Sequence, residues 1–211
     1  MNIMIVQKIE LHMQWLESLG QSGEQMILDE IDLSNINLEN YDLTEAILTD
    51  VNFNNAFLNG VQFYGCNLAS SCFDNASLQG AFFNKSTADF ATFKSADMRK
   101  VLAFRGAFSN ADFSYANLSK ANLSRAILDE ANLSKTCLSD VNFTDASLDG
   151  ANLTGADLEN VNLTGCRLHN TELSGVRGAD TIIAECIDIG SVTQSKKLKG
   201  EEALLWIKNK I

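Results

Sequence analysis

The chain has 211 residues, 45% hydrophobic and 20% charged, with no proline and a formal net charge of −11. It is long enough for one domain with a substantial core and too apolar to stay disordered, while its acidity excludes whole-molecule attraction to nucleic acid or anionic lipid. No apolar run approaches a membrane span, and the start MNIMIVQKIELHMQWLESLG lacks the parts of a signal peptide, so a cytoplasmic protein is expected.

The first element expected is an amphipathic helix over 4–19. Ile5, Ile9, Leu11, Trp15 and Leu16 supply its apolar side, and Gly20 ends it. A period of five follows. Of the 30 positions taken in steps of five from Leu28 to Leu173, 27 are Leu or Phe, and the exceptions are Ala88, Met98 and Ala103. Two residues earlier, from Ile31 to Thr171, the side chain is small at every step except Ile31, Ile36 and Tyr41. The residue just before the bulky one is often Asn or Asp, and the one after it is often Ser or Thr.

Steps of five scatter side chains around a helix and alternate them across a strand, so neither element keeps the Leu and Phe residues on one dry face. The chain must instead turn between pentads and close into coils, which stack so that each backbone N–H finds a neighbour above or below. The absence of proline suits such a ladder. Core positions are then Leu33, Leu38, Phe53, Phe73, Phe93, Phe113, Leu118, Leu123, Leu133 and Leu153, among others. Phe53, Phe73, Phe93 and Phe113 recur at 20, as do Lys85, Arg105 and Arg125, which suggests four pentads per coil.

The pentads ANLSK, ANLTG and ADLEN match the A(D/N)LXX pattern letter for letter, and over residues 28–175 the sequence resembles the pentapeptide-repeat family. The resemblance implies an all-β solenoid: a right-handed quadrilateral parallel β-helix of about 7–8 coils, roughly 35 Å long at about 4.8 Å per coil. Open ends would expose core and edge groups, so capping helices are expected at both termini. The resulting division is 1–26 for the N-terminal capping helix and linker, 27–175 for the β-helix, and 176–211 for an irregular last coil and C-terminal helix. In KGEEALLWIKNKI, the residues Leu204, Leu205, Trp206, Ile207 and Ile211 are available to lid the core or to form a homodimer; monomer and dimer both remain open.

Catalytic constellations are missing. His12 and His169 lie far apart, and the chain has no nucleophile elbow, phosphate loop or metal triad. The five cysteines, Cys66, Cys72, Cys137, Cys166 and Cys186, are odd in number and have no CxxC spacing, so they read as reduced apolar fillers. Neither enzyme activity nor a cofactor or metal is expected.

Charge is segregated. Residues 27–80 hold eight acids and no Lys or Arg, residues 81–126 hold seven bases and three acids, and residues 127–175 hold eight acids and two bases. The basic middle also breaks the repeat: Ala88 and Ala103 replace bulky residues, and apolar side chains occupy outward positions. Two readings stand. Phe90 or Phe104 turns inward to fill the gap, or an apolar patch rimmed by cations is exposed as a partner site. The candidate surface comprises Phe82, Lys85, Phe90, Arg99, Lys100, Leu102, Phe104, Arg105 and Arg125. The function expected first is a rigid protein–protein interaction scaffold with an unknown protein partner. The resemblance implies a second: some members of the family mimic duplex DNA and bind type II topoisomerases, modulating gyrase or protecting it from quinolones. Here the phase of the repeat is unbroken, and the basic belt interrupts a continuous negative face.

Overall fold

The protein was analysed as a computed structural model, which describes residues 3–211. Each pentad is a short extended step followed by a corner. At the corner, the N–H three residues past the bulky residue returns to its carbonyl, as Ala56 N–H does to Phe53 O at 3.0 Å. The residue two past the bulky one is left-handed at every step from Glu30 to Gly175, with φ between 53° and 79°. A single positive φ at the third turn residue is the type II signature. Four corners return the chain to its starting direction, and parallel bridges then join residues 20 apart, as in Asn52↔Cys72, Phe82↔Leu102 and Asn122↔Asn142. The pairing widens to three residues between β1 (Ile27–Asp29) and β2 (Ile47–Thr49).

The pentad 121–125 shows where its amide protons go. Ala121 N–H closes the corner on Leu118 O, Asn122 N–H bonds back to Val101 O, and Leu123 and Arg125 N–H bond forward to Asn142 O and Thr144 O. Only Ser124 N–H has no backbone partner, and the Asn122 side chain accepts it through Oδ1 at 3.1 Å. The same contact recurs at Asp32, Asn52, Asn117, Asn142 and Asn152. This is the physical reason for Asn or Asp before the bulky residue: its short carbonyl caps the one donor that stacking leaves orphaned. Where that position is Cys72, Thr92, Leu102 or Ala107, an Asn or Asp in the preceding coil takes over. Asn54, Asp74, Asn84 and Asp89 then accept from Asp74, Lys94, Phe104 and Ser109 N–H.

The small inward position has its own logic. Cys66, Ser71, Thr136, Cys166 and Thr171 each donate to the carbonyl of a bulky residue in the preceding coil, at 2.7–2.9 Å. A small polar side chain is therefore admitted beside Ala because a carbonyl is within reach. Burial pushes the Cys66 thiol up to about 12 and raises Cys166 further, so both are thiols used as weak donors. The core is continuous from end to end. The rings of Phe53, Phe73, Phe93 and Phe113 stack at 5.0, 4.9 and 4.8 Å with interplanar angles of 11° or less. Phe63 and Phe83 meet that column edge-on.

At the start, α1 (Ile3–Glu17) covers the first coil with Ile5, Ile9 and His12. Trp15 and Leu16, expected to seal the core, are only half-buried, whereas His12 is fully buried. Its Nδ1 accepts Met26 N–H at 3.0 Å, and its ring stacks on Trp15. At the far end, a 3-10 turn (Ala179–Thr181) adds one residue to the period, so bridges Asn162↔Ile183 and Arg167↔Asp188 span 21. The chain then forms an antiparallel pair, β3 (Cys186–Asp188) with β4 (Lys197–Lys199), and α2 (Glu201–Lys208). Ala203 and Ile207 are the buried residues of α2; Leu204 and Trp206 are half-buried, while Leu205 and Ile211 face outward and do not seal the core. Among the described residues, no helix is long and apolar enough to cross a membrane.

The capping contact predicts that Asn152→Ala costs about 1–2 kcal/mol in chemical denaturation, because Thr154 N–H loses its acceptor. Glu172→Ala, at the equivalent place one coil on, should stay within about 0.5 kcal/mol. His12 predicts an acid sensitivity. Desolvation lowers its pKa below the ordinary 6.5, against the opposing pull of Asp42 and Glu45. A depressed folded pKa means that the neutral ring's contribution is complete above 6.5 and is lost as pH falls through the folded value. Thermal melts should therefore show a lower Tm at pH 5.5 than at 7.5. His12→Gln should shrink the difference.

Candidate functional site: an aromatic and basic side of the coil

The bridge Phe82↔Leu102↔Asn122 places segments 61–65, 81–85, 101–105 and 121–125 one above another on the same side of the coil. That side brings together Tyr64, Phe82, Lys85, Leu102, Phe104, Arg105 and Arg125. Lys85 Nζ lies 5.3 Å from the centre of the Tyr64 ring in the coil below. Arg105 and Arg125 approach the Phe104 ring at 5.2 and 5.9 Å. The corner geometry produces this ladder: a cation on the left-handed corner residue projects beside the residue preceding it, and over the same column one coil below.

The predicted set divides. Phe82, Lys85, Leu102, Phe104, Arg105 and Arg125 share this side. Phe90 is a corner residue of the next side and is 62% exposed, so it neither joins the cluster nor fills the core. Arg99 belongs to the preceding side and is bound by Asp97 through two contacts at 2.7 and 2.6 Å. Lys100 occupies the corner between that side and this one. Tyr64 completes the cluster one coil below the basic segment. Of the cations here, Arg125 pairs with Asp145 at 3.4 Å. Lys85, Lys100, Arg105 and Lys120 have no carboxylate in ion-pair range among the described residues.

Phe104 does not turn inward either. It stays half-buried on the outside, its N–H held by Asn84 Oδ1 at 2.8 Å. The space beside Ala88 and Ala103 is taken by Phe108, which stands directly above Ala88 in a column otherwise made of Leu. Its ring meets Phe83, Phe93 and Phe113 at centroid distances of 6.2, 6.2 and 5.6 Å. Gly106 belongs to the same exchange: a Cβ there would fall 2.6 Å from Phe108 Cε2. The large residue and its three small neighbours compensate in volume, so the outward aromatics remain free.

Elsewhere the polar groups are structural. Arg167 bonds Asp149, whose other oxygen caps His169 N–H at 3.1 Å. No group of three or more His, Cys, Asp or Glu residues is placed to hold a metal ion among the described residues. Open clefts lie at the ends, one of them between the start of α1 and residues 31–37.

A family model for pentapeptide repeats matches eight copies over residues 31–69, 108–145 and 142–177, a little over half of the chain. The protein belongs to the pentapeptide-repeat family. Among solved structures it is similar to trypsin-treated QnrB1, a plasmid-mediated fluoroquinolone resistance protein, with 21% identity, 76% of this chain and 92% of that one covered, and a TM-score of 0.44. It is also similar to HetL of the cyanobacterium Nostoc sp. strain PCC 7120, involved in regulating heterocyst differentiation, with 22% identity, 82% and 94% covered, and a TM-score of 0.37. Rfr23 of the cyanobacterium Cyanothece 51142 is 20% identical, with 82% and 98% covered and a TM-score of 0.33. No curated protein matches the sequence.

The packing around Phe108 predicts that Gly106→Ala destabilises the protein by about 1–3 kcal/mol, although Ala is the common residue at that repeat position. The double change Gly106→Ala with Phe108→Leu should recover part of the loss, as measured by urea denaturation.

Proposed function

We propose that this protein is a non-catalytic, cytoplasmic interaction scaffold: a right-handed quadrilateral β-helix with helical caps that docks a protein partner on one side. The observation that carries this reading is the Tyr64–Phe82–Leu102–Phe104 cluster with its cations. On a repeat whose outward positions are otherwise mostly polar, it gathers four apolar or aromatic residues on one side, Tyr64 and Leu102 exposed and Phe82 and Phe104 half-buried, beside a row of cations, the composition of a docking surface. The rod supports such a role because four of the five amides of a pentad such as 121–125 bond within the ladder and its corners, so outward positions other than the capping Asn or Asp can vary without altering the core. Leu205 and Ile211, exposed on and just after α2, offer a separate contact through which two copies could pair.

A second reading has its own observation. The acidic stretch 27–80, without Lys or Arg, would present carboxylates along the rod, as a mimic of duplex DNA bound by a type II topoisomerase would. Two measurements separate the readings. Under the scaffold reading, Phe82→Ser with Phe104→Ser abolishes cross-linked capture of the partner from cell extract while the melting curve stays that of the parent. Retained capture by the folded double variant removes the docking side. Under the mimic reading, the protein alters DNA supercoiling by purified gyrase, and reversing Asp42, Glu45 and Asp74 to Lys removes the effect.

A further inference from the structure

We infer that the aromatic and basic side takes an acidic amphipathic α-helix lying parallel to the rod axis. This rests on the docking side proposed above and names the chemistry of its occupant. Three observations lead there. First, acids outnumber Lys and Arg by 27 to 16, yet Lys85 and Arg105 have no carboxylate partner among the described residues. In so acidic a chain, cations left without an acid on a shared side form a complement for carboxylates supplied from outside. Second, Lys85 lies over the Tyr64 ring at 5.3 Å and Arg105 over the Phe104 ring at 5.2 Å, while neither cation donates a side-chain hydrogen bond among the described residues. A guanidinium beside a ring, which accepts none of its N–H groups, keeps donors that can grip a carboxylate through two bonds.

Third, the spacing selects the partner's shape. Lys85, Arg105 and Arg125 occupy equivalent corners of successive coils, and successive coils are 4.8–5.0 Å apart by the stacked core rings. The three span about 10 Å, Lys85 and Arg105 without a carboxylate and Arg125, at the upper end, shared with the exposed Asp145 at 3.4 Å. An α-helix rises 1.5 Å per residue, so acids at i, i+3 and i+7 stand about 4.5 and 10.5 Å along it, close to this register. An extended strand puts same-side residues about 6.6–6.8 Å apart and falls out of step by the third. Phe82, Leu102 and the Phe104 ring flank the cation row and receive the helix's apolar residues. Asp42 and Glu45 below, with Asp145 above, end the basic row on the same side and repel a helix shifted along the axis.

The test uses the full chain and a capped helical peptide of Ala, Glu and Leu, with Glu at i, i+3 and i+7 and Leu at i+4. Fluorescence anisotropy should show saturable binding that weakens with added salt and falls about ten-fold in Arg105→Glu and in Phe104→Ser. Lys135→Glu, on another side, should leave it unchanged. The idea fails if the peptide with Lys in place of Glu binds as well, if Arg105→Glu keeps full affinity, or if a single-stranded oligoadenylate binds more tightly. It fails too if sedimentation shows the chain pairing with itself through this side, dissociated by Arg105→Glu. Loss of partner capture in the Phe82 and Phe104 double variant with no peptide binding would remove the helix and leave the docking side standing.

Discussion

The molecule depends on one backbone requirement repeated at every corner: a residue at positive φ every fifth position from Glu30 to Gly175. For residues other than glycine this conformation costs on the order of 1 kcal/mol or more, and Asn or Gly is favoured there. The chain accepts Lys, Arg, Glu, Phe and Tyr at many of these corners because the ladder and the core over-determine the turn. Once the corners are fixed, two of every five side chains point inward and three outward. The core composition, the ladder and the decoration of the sides all follow from that geometry.

The same geometry separates stability from recognition. Inside, every exchange must conserve volume, and the set Ala88, Ala103, Gly106 and Phe108 shows how: one enlarged ring is matched by three reduced neighbours. Outside, every corner residue must take a positive φ, and many pentads also need a side-chain acceptor for the amide after the bulky residue. Either the Asn or Asp of the same pentad or one from the coil below can supply it. Where the coil below does so, as under Phe104, the position before the bulky residue is released for Leu102. The apolar side is thus built where the capping duty has been moved to Asn84.

The two ends solve a different problem, since a terminal coil has no neighbour to bond. The N-terminal cap uses a helix whose buried imidazole replaces one missing acceptor for Met26 N–H. The C-terminal cap stretches the period to 21 and closes with an antiparallel pair and a short helix. Neither end follows the repeat, and both leave apolar residues outward, Ile3 and Met4 on α1 and Leu205 and Ile211 on and just after α2.

The sequence by itself determined the coil, because a period of five in bulky residues has no other way to reach a common interior; the recurrence of Phe53, Phe73, Phe93 and Phe113 suggested the length of each turn, and the bridges at 20 residues fixed it. It also displayed the Asn and Asp preference, although the amide which that preference serves becomes visible only with the ladder in place. Tertiary structure alone decided which neighbour fills a gap. Phe90, Phe104 and Phe108 are all Phe near a missing bulky residue, and stacking at 20 residues, not proximity in sequence, puts Phe108 over Ala88. It likewise decided that Arg99 is occupied by Asp97 while Arg105 lies on Phe104, and that His12 rather than Trp15 is buried. Period and composition fix where a side chain is rooted; its contacts depend on the coils above and below, whose alignment is a property of the folded stack.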